Sequence, residues 1–152
     1  MAFFSKVKEA AQQFKEAVTT EVSKFKNKEF LDGAMAICAW VAAADGDISS
    51  EEKSKMAGYV KQSDALKVFD QNKVIERFNY FAEKFEFDAS IGKGEALQAI
   101  ERAVEKNPSC SRILVQVGIA IGKADGDFDA NEKKVISDVC IALGLTASEF
   151  DI

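Results

Sequence analysis

The sequence predicts an all-α protein, a compact bundle of about seven helices that contains two pseudo-symmetric helix–acidic turn–helix hairpins. Apolar residues recur at steps of three and four along most of the chain, which is the period of an amphipathic helix. The 152 residues include a single proline, and no segment shows the alternation typical of a strand. A chain of this length is expected to form one domain over residues 1–152.

The hairpins are indicated by an internal repeat. Residues 44–53 read ADGDISSEEK, and residues 124–133 read ADGDFDANEK, with the acids at the same spacing. In each copy an apolar run precedes the turn and a helix-patterned segment follows it. We therefore expect two equivalent hairpins, residues 28–61 and 109–143, related by an approximate twofold axis.

Residues 1–26 form the first predicted helix. Its apolar stripe alternates with lysines and glutamates, and residues 1–28 carry six lysines against three glutamates in a chain of net charge −5. Two interpretations remain open: a helix docked on the core, or an arm that contacts a membrane surface or a partner protein. The stripe consists of Phe4, Val7, Ala11, Phe14, Val18, Val22 and Phe25.

The remaining helices follow from apolar periodicity and from start and stop signals. Asp70 is a predicted N-cap, Gly144 a predicted terminator, and Leu66 and Phe69 are predicted to point inward. Thr146 to Glu149 has the pattern of a capping box that starts a final turn. The predicted helical segments are 28–44, 50–61, 63–69, 71–87, 88–106 with its start at 88–95, 109–124 and 130–143.

The two acidic turns admit two physical interpretations. In the first, Gly46 and Gly126 adopt the left-handed conformation, and Ser49 and Asp129 cap the next helix with help from a glutamate three residues on. In the second, carboxylates gather around a hard divalent cation, with Ca²⁺ or Mg²⁺ favoured over Zn²⁺. The candidate ligands are Asp45, Asp47, Glu52, Asp125, Asp127 and Glu132.

Several chemistries are disfavoured by composition. The chain has no histidine, and its three cysteines, Cys38, Cys110 and Cys140, are far apart in sequence. Most zinc and haem sites and redox dithiols are therefore not expected, although Cys110, near a helix start, could be the more reactive thiol. Gly92-Lys93-Gly94 lacks the rest of a phosphate-binding loop.

The charge distribution and the absence of long apolar runs bear on partners and location. Outside the basic N-terminal segment the chain is strongly acidic, which disfavours nucleic acid as a partner. No run approaches the length of a membrane span, and the N-terminus lacks the apolar region of a signal peptide. We expect a cytoplasmic protein.

A series of short motifs, in one collinear order along nearly the whole chain, resembles the TerB tellurite-resistance family. The motifs lie at residues 3–8 (FFSKVK), 25–28 (FKNK), 49–53 (SSEEK), 66–70 (LKVFD), 87–88 (FD), 91–95 (IGKGE), 125–126 (DG) and 132–133 (EK). The resemblance implies an all-helical domain of about seven helices with two pseudo-symmetric hairpins.

The resemblance also implies a function. The family belongs to a bacterial tellurium and stress resistance system that includes the membrane protein TerC and the calcium-binding TerD-type proteins. It implies a cytoplasmic, membrane-associated binding component and not an enzyme, with TerC-like and TerD-like proteins as partners. Its acidic positions correspond to Asp45, Glu52, Asp125 and Glu132, with Asp88 and Glu95 as further candidates.

We therefore expect a binding or sensing module for tellurite and stress resistance, with a divalent cation at the two turns. The alternative is a helical scaffold for other Ter proteins, with acidic turns that serve only as helix caps. A tellurite reductase is the contrasting class, but the chain has neither vicinal thiols nor a dinucleotide-binding fingerprint.

Residues 1–26 are predicted to bring the chain to the membrane at the inner face of the plasma membrane. Each lysine near an anionic surface contributes about 1 kcal/mol, so binding should be weak and salt-dependent. Sedimentation with anionic vesicles should show binding that falls with added salt and disappears when residues 1–26 are deleted. No binding by the intact protein, or unfolding upon deletion, would assign this helix to the core.

Overall fold

The computed structural model describes residues 20, 22–46, 49–63, 66–124 and 128–152, which contain six α-helices and no strand. The all-α prediction is confirmed, and six of the roughly seven predicted helices fall within this part of the chain. The helices are α1 (Lys28–Ala42), α2 (Ser50–Gln62), α3 (Gln71–Phe87), α4 (Ala89–Lys106), α5 (Ser111–Ala124) and α6 (Ala130–Leu143). Two short 3₁₀ helices span Pro108–Cys110 and Ala147–Phe150.

Helix α1 is the central element of the bundle. Asn27 caps it, since its Oδ1 accepts a hydrogen bond from the Phe30 N–H at 2.8 Å. Every residue from Phe30 to Val41 except Asp32 is buried, and α1 contacts each of the other five helices. A helix that is apolar on all its faces is stable only when it is enclosed in this way.

Small residues allow the neighbouring helices to approach α1 closely. A Cβ atom on Gly33 would lie 3.1 Å from the Cβ of Ala103 in α4. A Cβ atom on Gly118 in α5 would lie 2.5 Å from Cγ2 of Ile37. A side chain of α4 therefore packs against the backbone of α1, and a side chain of α1 packs against the backbone of α5, which fixes the positions of these two helices.

Helices α3 and α4 are separated by a single residue, Asp88, in extended conformation. Its Oδ1 accepts hydrogen bonds from the N–H groups of Ser90 at 2.8 Å and Ile91 at 3.1 Å, so Asp88 caps α4. The prediction that a helix starts within residues 88–95 is thereby confirmed. Asp70 caps α3 as predicted, with its Oδ1 2.8 Å from the N–H of Asn72.

The two predicted hairpins are α1–α2 and α5–α6. Within each hairpin the helices contact each other, and α1 also contacts α5. In addition, α2 contacts α5 while α6 contacts α1, so each outer helix touches the inner helix of the other hairpin. A twofold relation produces this reciprocal pattern. The superposition of the two hairpins stays a prediction.

The described end of the first predicted helix packs on the core. Val22 is fully buried, and the ring of Phe25 stacks on Phe30 with centroids 5.8 Å apart. Phe30 in turn stacks on Phe69 at 6.1 Å, and both Phe69 and Leu66 are buried, as predicted. Residues 1–19 and 21 lie outside the described part, so the membrane contact assigned to this segment stays a prediction.

Among the described residues, no helix is both long and apolar enough to cross a bilayer.

The C-terminal turn is held by a carboxylate, as the capping-box pattern predicted. Glu149 accepts hydrogen bonds from the backbone N–H of Thr146 at 2.7 Å and from its hydroxyl at 2.8 Å, and it pairs with Arg112 at 2.5 Å. Gly144 ends α6 with φ +73°, and Phe150 and Ile152 are half-buried against the core. The turn thereby connects the chain end to α5.

The contact of Gly92 with Phe85 yields a first test of the fold. A Cβ atom on Gly92 would lie 2.5 Å from the Phe85 ring and 2.8 Å from its Cα, whereas Gly94 in the same helix has no such atom within 4 Å. Urea unfolding should show that Gly92→Ala loses about 1–3 kcal/mol through overpacking. Gly94→Ala should gain about 0.5–1 kcal/mol from its higher helix propensity. Equal stability of the two variants would contradict the packing of α3 on α4.

The Glu149 carboxylate yields a second test. Hydrogen bonds from the backbone and side chain of Thr146, and then the one from Arg112, lower the pKa of Glu149 from 4.5 to about 2. A lowered folded-state pKa stabilises the protein fully above pH 4.5, and this contribution is lost as the pH falls from 4.5 toward 2. The stability difference between wild type and Glu149→Gln should therefore shrink over that range. A difference that is constant from pH 7 to pH 3 would rule out this contribution.

Candidate functional site

The first acidic turn contacts the start of the helix that follows the second one. Asp45 is exposed just beyond α1, and its Oδ1 accepts a hydrogen bond from Nδ2 of Asn131 at 2.7 Å. Asn131 is the second residue of α6 and is also exposed. The two repeated sequences, 80 residues apart, thus meet at one surface.

Only part of the predicted ligand set can be placed. Asp47, Asp125 and Asp127 lie outside the described residues, as does Gly126, and the same holds for the side chain of Glu52. Gly46 has φ +112°, which agrees with the predicted positive φ for the first turn. Asp45 and Glu132 are therefore the two turn acids whose side-chain surroundings are known.

Glu132 forms the predicted capping box with Asp129. The Asp129 Oδ1 accepts from the Glu132 N–H at 2.8 Å, and the Glu132 Oε1 accepts from the Asp129 N–H at 3.1 Å. Glu132 is 6 % exposed, which makes it the one charged residue buried in the described part of the chain. The hydrogen bond from the Asp129 N–H gives this buried carboxylate a donor.

The further acidic candidates both form hydrogen bonds at helix α4. Asp88 caps α4 through one of its carboxylate oxygens. Glu95, two turns along α4, accepts a hydrogen bond from the Tyr80 hydroxyl at 3.3 Å. In the ranges that the structure describes, no three side chains of the metal-ligating types lie close enough together to hold an ion.

Asn131 is a residue of this surface that the sequence analysis did not single out. The equivalent position of the first repeat is Glu51, so the two copies differ at this point. A carboxylate at position 131 would repel Asp45 instead of donating a hydrogen bond to it. The difference between Glu51 in the first copy and Asn131 in the second is the sequence signal for the contact with Asp45.

A groove of about 400 Å³ runs beside this contact, and we call it the turn groove. It is bounded by the end of α1, the α3–α4 junction and one face of α6. Among its lining residues are Trp40, Ala44, Phe87, Asp88, Lys93 and Asn131. The Lys93 ammonium lies 5.8 Å from the centre of the Trp40 ring. The Gly92-Lys93-Gly94 sequence is thus part of helix α4, and its lysine covers a wall of the groove.

The three thiols are buried, which disfavours the thiolate form. Burial raises the pKa of Cys38 to about 12, and burial also raises the pKa values of Cys110 and Cys140. The greater reactivity expected of Cys110 stays a prediction, and the burial of its thiol counts against it. Cys110 ends the Pro108–Cys110 turn, and its side chain is fully buried. Its sulfur lies 3.5 Å from the carbonyl oxygen of Ala103.

The fold and the site together define an all-helical protein with two repeated hairpins, in which Asp45 of the first acidic turn contacts Asn131 at the start of α6 beside a groove. The family model described as "Tellurite resistance protein TerB" matches residues 31–152. The chain belongs to this family, and the resemblance seen in its motifs is confirmed.

The chain is also similar to "Tellurium resistance protein TerB" of Alcaligenes sp. The two are 44% identical over 119 residues, which cover 78% of this chain and 97% of that protein. No solved structure matches the chain.

Proposed function

We propose that this chain acts in tellurite resistance as a binding or sensing component, with a divalent cation held between its two acidic turns. The hydrogen bond between Asn131 and Asp45 carries the proposal, because it joins the first acidic turn to the helix that follows the second one. A single ion between the turns would then draw ligands from both hairpins. The family supports the role in resistance, and the description of its model names no enzymatic activity.

The chemistry of the described residues supports a hard cation. Asp45 and Asn131 both carry side-chain oxygens and are exposed, so an ion can reach them without unfolding the turn. They supply fewer oxygens than the six to eight that Ca²⁺ takes. Asp47, Asp125 and Asp127 would contribute the others. Ca²⁺ and Mg²⁺ are favoured over Zn²⁺ because the chain has no histidine and its cysteines are buried.

Glu132 has a different role in this proposal. Its carboxylate is already engaged in the capping box, and moving it to a metal would leave the Asp129 N–H without that partner. We therefore assign Glu132 to the support of the second turn rather than to the ion. Its removal should cost about 1 kcal/mol of stability, the usual effect of losing a cap.

A scaffold without a metal is the second candidate, and the caps favour it. Asp129, Glu132 and Asp88 are all accounted for by helix capping. In that case the turns would serve only to present surfaces to other components of the resistance system, such as TerC-like and TerD-like proteins. Asp45 distinguishes the two candidates, since it caps no helix among those described.

Calorimetric titration with Ca²⁺ and Mg²⁺ tests the proposal. Asp45→Asn combined with Asp125→Asn should weaken binding at least tenfold, because two charged ligands become neutral. Asn can still accept the hydrogen bond from Asn131, so stability at position 45 should change by no more than about 0.5 kcal/mol.

The control variant is Glu105→Gln, which removes a charge near the far end of α4, roughly 18 Å along the helix from Lys93. It should bind the ions as the wild type does. Absence of binding by the wild type, or an unchanged affinity in the double variant, would leave the scaffold as the function.

A further inference from the structure

The turn groove exposes apolar surface that the fold itself does not use. Phe87 is 79% exposed at the end of α3, whereas Phe78, Phe81 and Phe85 of the same helix are buried. A large aromatic side chain left in water beside a groove is typical of a surface that a partner covers.

The groove also has an apolar wall behind this side chain. Trp40 is 7% exposed and stacks on Phe85, with ring centroids 6.4 Å apart. Ala43 and Ala44 at the end of α1, and Val135 of α6, complete the wall. The small alanines leave room for an incoming side chain, so an apolar residue can be buried between this wall and Phe87.

Two carboxylates flank the groove with unused capacity to accept hydrogen bonds. Asp45 and Asp88 are exposed, and each accepts through Oδ1; among the described residues no donor reaches either Oδ2. The lysines of the groove are already engaged, Lys134 with Asp138 at 3.0 Å and Lys93 with the Trp40 ring. The two Oδ2 atoms can therefore accept hydrogen bonds from cationic side chains of a partner.

The backbone of the partner must satisfy its own hydrogen bonds. The described part of this chain has no strand whose edge could pair with an extended peptide. A helix meets this condition because its backbone groups bond within the helix. Helix-in-groove docking then places apolar side chains inside and basic side chains toward the rim.

We propose that the turn groove binds a basic amphipathic helix of a partner protein. An apolar residue of that helix packs between Phe87 and the Trp40 wall, and its lysines or arginines pair with Asp45 and Asp88. This inference does not require a cation at the turns. It differs from the proposed cation site in its ligand and in its dependence on Phe87 and Asp88, while the two share Asp45.

Trp40 provides the readout, because it is the only tryptophan of the chain. The probe is a tryptophan-free helical peptide of about 18 residues with lysine, leucine and one phenylalanine. Its matched twin carries glutamate at every lysine position. Titrations are made with the full chain in EDTA, so that failure of the cation proposal does not affect the result. The lysine peptide should change the Trp40 fluorescence, and the glutamate peptide should bind at least tenfold more weakly.

Two sets of variants locate the site. Phe87→Ala should weaken binding of the lysine peptide at least tenfold. The stability of the protein should change little, because Phe87 is mostly exposed. Ile141→Ala is the control, since Ile141 is 75% exposed on α6 and does not line the groove. Asp45→Asn with Asp88→Asn keeps the hydrogen bond and the cap while removing both charges, and it should weaken binding at least fivefold.

Three outcomes would overturn the proposal. The first is equal binding of the lysine and glutamate peptides, which would show that the groove does not select a basic helix. The second is an equal effect of Phe87→Ala and Ile141→Ala on peptide binding, which would exclude the groove as the binding site. The third is concentration-dependent dimerisation of the chain that Phe87→Ala abolishes in sedimentation experiments, since the occupant would then be a second copy.

Discussion

The enclosure of α1 is the constraint on which the rest of the structure depends. This helix has almost no polar face, so its burial requires helices on every side. Close approach is possible because Gly33 and Gly118 replace side chains at the tightest contacts. The ends of α1 then determine what the surface offers: an aromatic stack around Phe30 at its start, and Trp40 with Asp45 at its end.

The packing around α1 also explains why the first acidic turn meets the second hairpin. Each outer helix contacts the inner helix of the other hairpin, so the end of α1 lies close to the start of α6. A glutamate at position 131, as at the equivalent Glu51, would repel Asp45, whereas Asn131 donates a hydrogen bond to it. The two copies of the repeat therefore differ at the position that makes this contact.

The described acids divide into those that support the fold and those that face solvent. Glu132 and Glu149 each accept hydrogen bonds from their own helix start, and Glu132 is buried there. Asp45 and Asp88 are exposed and keep one oxygen each for another donor or ion. Both proposals for this protein depend on the second group. The cation would compete with a basic partner for Asp45, so the two ligands would be negatively coupled at that residue.

The sequence by itself determined most of the elements and several caps, although the described part of the predicted helical segment 63–69 is a turn. The all-α class, the bounds of α3 and α6, and the capping roles of Asp70 and Asp129 follow from local rules, since each depends on residues within one or two turns. The family was also evident from motif order. Tertiary structure decided how distant segments meet: the contact of Asp45 with Asn131, the groove beside Phe87, and the complete burial of Cys110. These depend on how helices pack around α1, and hydrophobic periodicity states which face of a helix is buried but not which neighbour covers it.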